Sequence, residues 1–178
     1  MTATHQREQD CGSAPPADGQ RRDQMRSRQM PTVRELTPEE TALAWPALRE
    51  LRPHVASPEA LTRQVNGEQR AEGYRLAGSF SEGDREPAGV AGFRTLHTLA
   101  WGHVLYVDDL ITRADRRSEG HADALMRWLE EEAARLGCEQ LHLDSGVQRE
   151  RETAHRFYFN HRLRISAYHF SRELAADE

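Results

Sequence analysis

One junction constrains the fold of this chain more than any other stretch. His103 to Thr112 reads as a strand, Arg113 to Glu119 as a polar loop, and Gly120 and Ala122 open a long helix. Along that helix Ala122, Leu125, Met126, Leu129, Ala133 and Leu136 recur at helical spacing, Asp123, Arg127, Glu130 and Glu131 face away, and Gly137 supplies a C-cap. Gln140 to Asp144 is another strand, so the stretch is a βαβ unit with a crossover helix. Free N–H groups and the positive end of the helix dipole face whatever lies at the turn, so an anion should bind there, the alternative being an ordinary helix start with Gly in its loop. Small residues at 118, 120 and 122 let the backbone approach a pyrophosphate, and Arg117 can add a charge-assisted bond.

Upstream, Thr37-Pro38-Glu39-Glu40 is a helix start with a capping box, and the helix runs toward Leu51 with Pro46 bending or splitting it. Ser57-Pro58-Glu59 starts a second helix that lasts to Asn66-Gly67. Tyr74 to Phe80 and Gly89 to Leu99 form a hairpin around the turn residues Ser81 to Asp84. Ala154 to Asn160 is a short aromatic-rich helix, and Leu163 to Phe170 alternates enough to be a final strand. The expected class is a mixed α/β fold (an α+β mixed sheet), mostly antiparallel in its N-terminal half, with its βαβ crossover in the C-terminal half.

Residues 1 to 30 hold no Ile, Leu, Val, Phe, Trp or Tyr, so a disordered tail is expected there and one domain over 31 to 178. No run of about 20 apolar residues exists to span a membrane, and MTATHQREQD is not a secretory signal, so a cytoplasmic protein is expected. Cys11 and Cys138 give neither a disulfide framework nor a metal-ligand spacing, and the histidines add none, so no metal is expected. The net charge of -5, with all 24 basic residues Arg, disfavours nucleic acid and mildly favours cationic partners. A homodimer is compatible with all of this.

Acid–base chemistry concentrates at Asp108-Asp109. Adjacent strand residues face opposite sides, so at most one lies in a cleft unless a bulge turns the backbone. Strict alternation groups Leu105, Val107 and Ile111 on one face, and Tyr106, Asp108, Leu110 and Thr112 on the other. Asp108 is the favoured base on that geometry, and Asp109 is the alternative base or a buried structural carboxylate. His142 and Asp144 share a face on the next strand and are candidates for an acceptor pocket or for a solvated polar face.

Arg117-Ser118-Glu119-Gly120-His121-Ala122 resembles motif A of the GNAT superfamily of N-acetyltransferases, Arg/Gln-x-x-Gly-x-Gly/Ala after the fourth strand. Ala154 to Tyr158 resembles its second signature, a Tyr on a short helix after the fifth strand, and the likeness runs from Val33 to Leu174. The runs Tyr106 to Leu110 and Tyr168 to Phe170 are similar to those of a bacterial branch. Ser118 replaces a frequent Gly, Arg151 stands where many members carry Asn, and Arg162 where Gly usually follows the Tyr helix.

The resemblance implies a GNAT-like acyl-CoA N-acyltransferase fold and acetyl-CoA as cosubstrate. It implies that backbone along Leu110, Ile111 and Thr112 holds the pantetheine arm and that the amides from Ser118 to Ala122, with Arg117, hold the pyrophosphate. Tyr158 would lie beside the thioester sulfur and protonate the leaving thiolate, with the Leu110 N–H as oxyanion donor. The acidic pair before Leu110 also resembles that of polyamine acetyltransferases, so the expected acceptor is the primary amine of a small molecule, attacking directly in a ternary complex. The alternatives are a protein or peptide amine, and a non-catalytic acyl-CoA sensor or scaffold.

Overall fold

The computed structural model describes residues 30–174, so the expected tail lies, save for Met30, outside the described residues. Five strands form one sheet in chain order: β1 (Thr32–Leu36), β2 (Arg75–Phe80), β3 (Gly89–Thr98), β4 (Gly102–Thr112) and β5 (Gln140–Leu143). The first three pairings are antiparallel, and β4 and β5 run parallel. This is the expected mixed sheet with one crossover.

A 3-10 helix over Pro38–Ala44 passes into α1 (Trp45–Leu51), so the first predicted helix is split just before Pro46. Glu40 accepts from the Thr37 N–H at 3.1 Å and fixes the start. Ser57 caps α2 (Pro58–Gly67) by accepting from the Ala60 N–H at 3.2 Å. The crossover helix is α3 (His121–Arg135), and α4 (Glu152–Asn160) follows β5.

The sheet buries both faces. Leu48 of α1 and Leu61 and Val65 of α2 pack on Leu36, Leu76 and Val90. On the opposite face Leu125 and Leu129 of α3 pack on Ala77, Ala91, Phe93, Leu105 and Val107.

The register of β3 on β4 slips between Gly92 and Phe93, because Phe93 pairs with Val107 and Gly92 with Asp109. Asp108 is therefore an extra residue, a β-bulge, and the alternation of β4 reverses there. Leu105 and Val107 face α3, whereas beyond the bulge Leu110 faces α3 and Ile111 packs with Leu36 and Val90. This corrects the expected grouping of Ile111 with Leu105 and Val107, and of Leu110 with Tyr106.

A second correction concerns Leu163 to Phe170. The segment has no regular secondary structure and pairs with no strand among the described residues, so the predicted final strand is not formed there. Alternation supplies side chains for a sheet face, whereas a strand also requires backbone partners, and this segment stands largely exposed without them.

Candidate active site

Parallel pairing of β4 with β5 ends at Val107 opposite Leu143. Beyond that point the strands part, and the β5-facing edge of β4 is open from Asp108 to Thr112. The Arg113 N–H donates to the Ala88 carbonyl at 2.9 Å, which fixes the parity of the ladder. Ile111 and Asp109 consequently turn their backbone groups toward β3, and Leu110 and Thr112 turn theirs into the gap. Of the three residues expected along a pantetheine arm, Leu110 and Thr112 present free backbone there and Ile111 does not. Two buried hydroxyls, Thr112 Oγ1 at the end of β4 and Ser145 Oγ in the gap, have no hydrogen-bond partner among the described residues.

At the N-terminal end of α3 the backbone takes the left-handed conformation twice, at Ser118 (φ 64°) and Gly120 (φ 90°). The first helical bond is Ala124 N–H to the Gly120 carbonyl at 3.0 Å, so the amides of His121, Ala122 and Asp123 precede it. A Cβ on Gly120 would meet only Pro31 Cδ, at 4.0 Å, which leaves an open approach to those amides. An anionic phosphate chain fits that concave, donor-lined turn. The Arg117 side chain is exposed above it, with Glu50 3.9 Å away. Glu119 pairs with Arg116 at 2.9 Å, which holds its carboxyl below the usual range. His121 contributes differently from its neighbours: its ring is buried, with Nδ1 2.9 Å from Ser79 Oγ, and burial depresses its basicity.

Where the strands part, a recess of about 210 Å³ is lined by Arg52, Asp108, Leu110, Asp144, Ser145, Arg151 and Tyr158, among others. Tyr158 is buried on α4, edge-on to Phe157 with ring centroids 5.7 Å apart. Burial raises its phenol above the ordinary value and Arg151 opposes the rise, so the hydroxyl is neutral at pH 7. Arg151 thus sits against the Tyr. Arg162, where Gly is usual, adopts the left-handed φ of 63° that Gly would favour.

A larger cavity of about 540 Å³ adjoins Asp108 and Asp144. One wall carries Leu48 of α1, Val55 of the following loop, and Leu61 and Val65 of α2, and the sheet side carries Tyr106, Asp108, Asp109 and Asp144. The bulge is what brings both members of the acidic pair to this one space. They are held differently. Asp109 accepts from Arg52 Nε at 2.8 Å on one oxygen and from the Tyr74 hydroxyl at 2.8 Å on the other. Asp108 accepts from Arg94 Nε at 3.0 Å through Oδ2. Burial raises the Asp108 carboxyl above its usual value, and Arg94 opposes that rise. Tyr74 is raised well above the usual phenol value, chiefly by burial and then by Asp109.

Asp144 reaches the cavity and accepts from the Tyr106 hydroxyl. His142 does not line it: its ring stacks on Trp101 at 4.5 Å and its Nε2 meets Gln140 Oε1 at 3.0 Å. Sequence reasoning missed Arg52, Tyr74 and Arg94, whose partners lie too far along the chain for spacing to reveal. Among the described residues no group of His, Cys, Asp and Glu is arranged to hold a metal ion. Nor is any described helix long and apolar enough to cross a membrane.

A mixed sheet that parts beside a helix N-terminus, with a recess at the fork, is the architecture of an acyltransferase. The sequence profile of the acetyltransferase (GNAT) family matches residues 37–161, and the chain belongs to that family. Its members use acyl-CoA as cosubstrate. The fold is similar to an acetyltransferase of Trypanosoma brucei, with 18% identity, a TM-score of 0.67, and 81% of this chain and 99% of that chain covered. It is also similar to a ribosomal-protein-alanine N-acetyltransferase of Brucella melitensis, at 16% identity, TM-score 0.68, and coverage of 82% and 99%. A protein of Bacillus halodurans described as a transcriptional regulator shares the fold at 20% identity and TM-score 0.64, with 81% and 99% covered. No curated protein matches the sequence.

Proposed function

We propose that this protein transfers the acetyl group of acetyl-CoA to the primary amine of a small molecule, by direct attack in a ternary complex. The observation that carries the reading is the bulge at Asp108, which supplies a carboxylate to both the recess at the fork and the larger cavity. The amides at Ser118 to Ala122 and the Leu110 and Thr112 backbone bind and orient the coenzyme, with Arg117 adding charge at the phosphates.

Asp108 takes the proton from the acceptor's ammonium, directly or through water, which frees the nitrogen lone pair for attack on the thioester carbonyl. Burial raises the basicity of Asp108 for that task. Asp109 has both oxygens engaged, so it is a positioning residue that fixes Arg52 and Tyr74 around the cavity. The Leu110 N–H donates to the oxygen on which negative charge develops. As the C–S bond breaks, Tyr158 gives its proton to the departing thiolate, the new amide nitrogen releases its extra proton to solvent, and Tyr158 is reprotonated from solvent.

Three carboxylates on the sheet wall, with Arg52 and Arg94 paired to two of them, suit a cationic acceptor, and the aliphatic side chains Leu48, Val55, Leu61 and Val65 suit an apolar body attached to the amine. Thiol release from acetyl-CoA over a panel of small amines and short peptides tests the reading. Amine-dependent release confirms transfer, peptide-only release moves the acceptor class, and coenzyme binding without release for any amine makes the protein an acyl-CoA sensor.

A further inference from the structure

Arg151 at the N-cap of α4 and Tyr158 two turns further on share one face of the helix, and both line the recess at the fork. Arg52 of the same recess is committed, its Nε donating to Asp109 at 2.8 Å, and so is Arg94, which donates to Asp108 at 3.0 Å. Arg151 has no carboxylate within ion-pair distance among the described residues. Its neighbour Glu152 reaches Arg156 at 3.6 Å, and Asp144, across the recess, accepts from Tyr106 and lies 3.0 Å from His169. A second group is left over in the same place: the Ser145 hydroxyl, buried and without a partner among the described residues. A guanidinium without a counter-charge beside a buried hydroxyl without a partner makes a site for an anionic ligand atom.

We propose that Arg151 holds the negative charge that leaves with the sulfur of the coenzyme, with the Ser145 hydroxyl as a second donor to that atom. This role rests on acetyl transfer at the fork. When the C–S bond of the tetrahedral intermediate breaks, its electron pair passes to sulfur. Tyr158 delivers a proton there, and the negative charge moves to the phenolate oxygen until solvent reprotonates it. A guanidinium in the recess stabilises the charge at both stages. The resting protein already holds the pair together, for Arg151 opposes through its charge and a hydrogen bond the rise that burial imposes on the Tyr158 phenol. The other charged groups at the recess, Arg52, Asp108 and Asp144, are engaged as described, and His155 of α4 lies at the Gly146 carbonyl, 2.9 Å away, and does not line the recess. Arg151 is thus the cation there that is left to answer a new negative charge.

Titration of bound coenzyme A by its thiolate absorbance, with the desulfo analogue as blank, tests this without turnover. The bound thiol should titrate below the free coenzyme. Arg151→Gln should raise that titration by about one pH unit, Ser145→Ala by less, and Arg151→Lys should restore it. Circular dichroism should be unchanged, because Arg151 is a partly exposed N-cap residue. With the best amine, Arg151→Gln should also lower kcat about tenfold or more while affinity for the desulfo analogue stays the same. Equal titration of the bound thiol in the parent and in Arg151→Gln would overturn the proposal, even in a chain that acetylates amines. An Arg151-dependent shift in a chain that acetylates no amine would keep the anion site and remove the transfer reading. A parent that binds no coenzyme A would overturn both.

Discussion

The Tyr74 hydroxyl reaches Asp109 Oδ2 at 2.8 Å across Gly92 of β3, where no side chain stands, for a Cβ there would lie 1.9 Å from the Tyr74 oxygen. Gly92 is the partner of Asp109 at the bulge. The glycine thus makes room for the phenol that holds the second carboxylate of the pair, and α1 contributes the other donor through Arg52 at its C-terminal end.

Gly92→Ala should therefore displace Tyr74 and strip Asp109 of a buried hydrogen bond. The expected cost is about 1–3 kcal/mol of stability, seen in denaturant titration, together with a raised KM for the amine. A variant as stable and active as the parent would show that the Tyr74–Asp109 bond has no structural role.

Asp108→Asn and Asp109→Asn should differ in kind. The first removes the proposed base and should lower kcat by about 10²-fold or more with KM little changed. The second should act mainly on stability and KM, since Arg52 and Tyr74 lose a charged acceptor. Reversed effects in steady-state kinetics would exchange the two roles.

A base works in its ionised form, so kcat/KM should fall as pH drops through the Asp108 pKa, which burial has raised. Arg94 opposes that rise, and Arg94→Gln should therefore raise the pKa further and move the acid limb of the profile to higher pH. An unmoved limb in a folded variant would separate the limb from Asp108.

At the helix N-terminus, Gly120→Val places a β-branched residue at φ 90° and a side chain on the open approach to the amides. Calorimetry should show acetyl-CoA affinity reduced about tenfold or more, with the fold intact by circular dichroism. Unchanged affinity would remove the phosphate cradle from this turn.

The readable and unreadable parts of this protein divide on physical lines. The junction from Arg117 to Ala122, the Ser57 cap and the crossover helix rest on local spacing, and all stand in the structure as the sequence predicts. The bulge at Asp108 depends on how β3 pairs with β4, for which β4 alone carries no signal, and missing it misplaced Leu110 and Ile111. Tyr74, Arg52 and Arg94 approach the acidic pair only through the tertiary fold. Leu163 to Phe170 shows the reverse: a legible strand pattern without an edge bonded to it.

The most direct measurement is the turnover of Tyr158→Phe with acetyl-CoA and the best small amine, beside calorimetric affinity for the coenzyme. The substitution keeps the buried ring and removes only the proposed proton donor. The expected result is unchanged stability and coenzyme affinity with kcat lowered by about 10²-fold or more. Near-normal turnover would contradict proton donation by Tyr158 and return it to a packing aromatic, and no amine-dependent turnover in the parent chain itself would contradict acetyl transfer at this cleft.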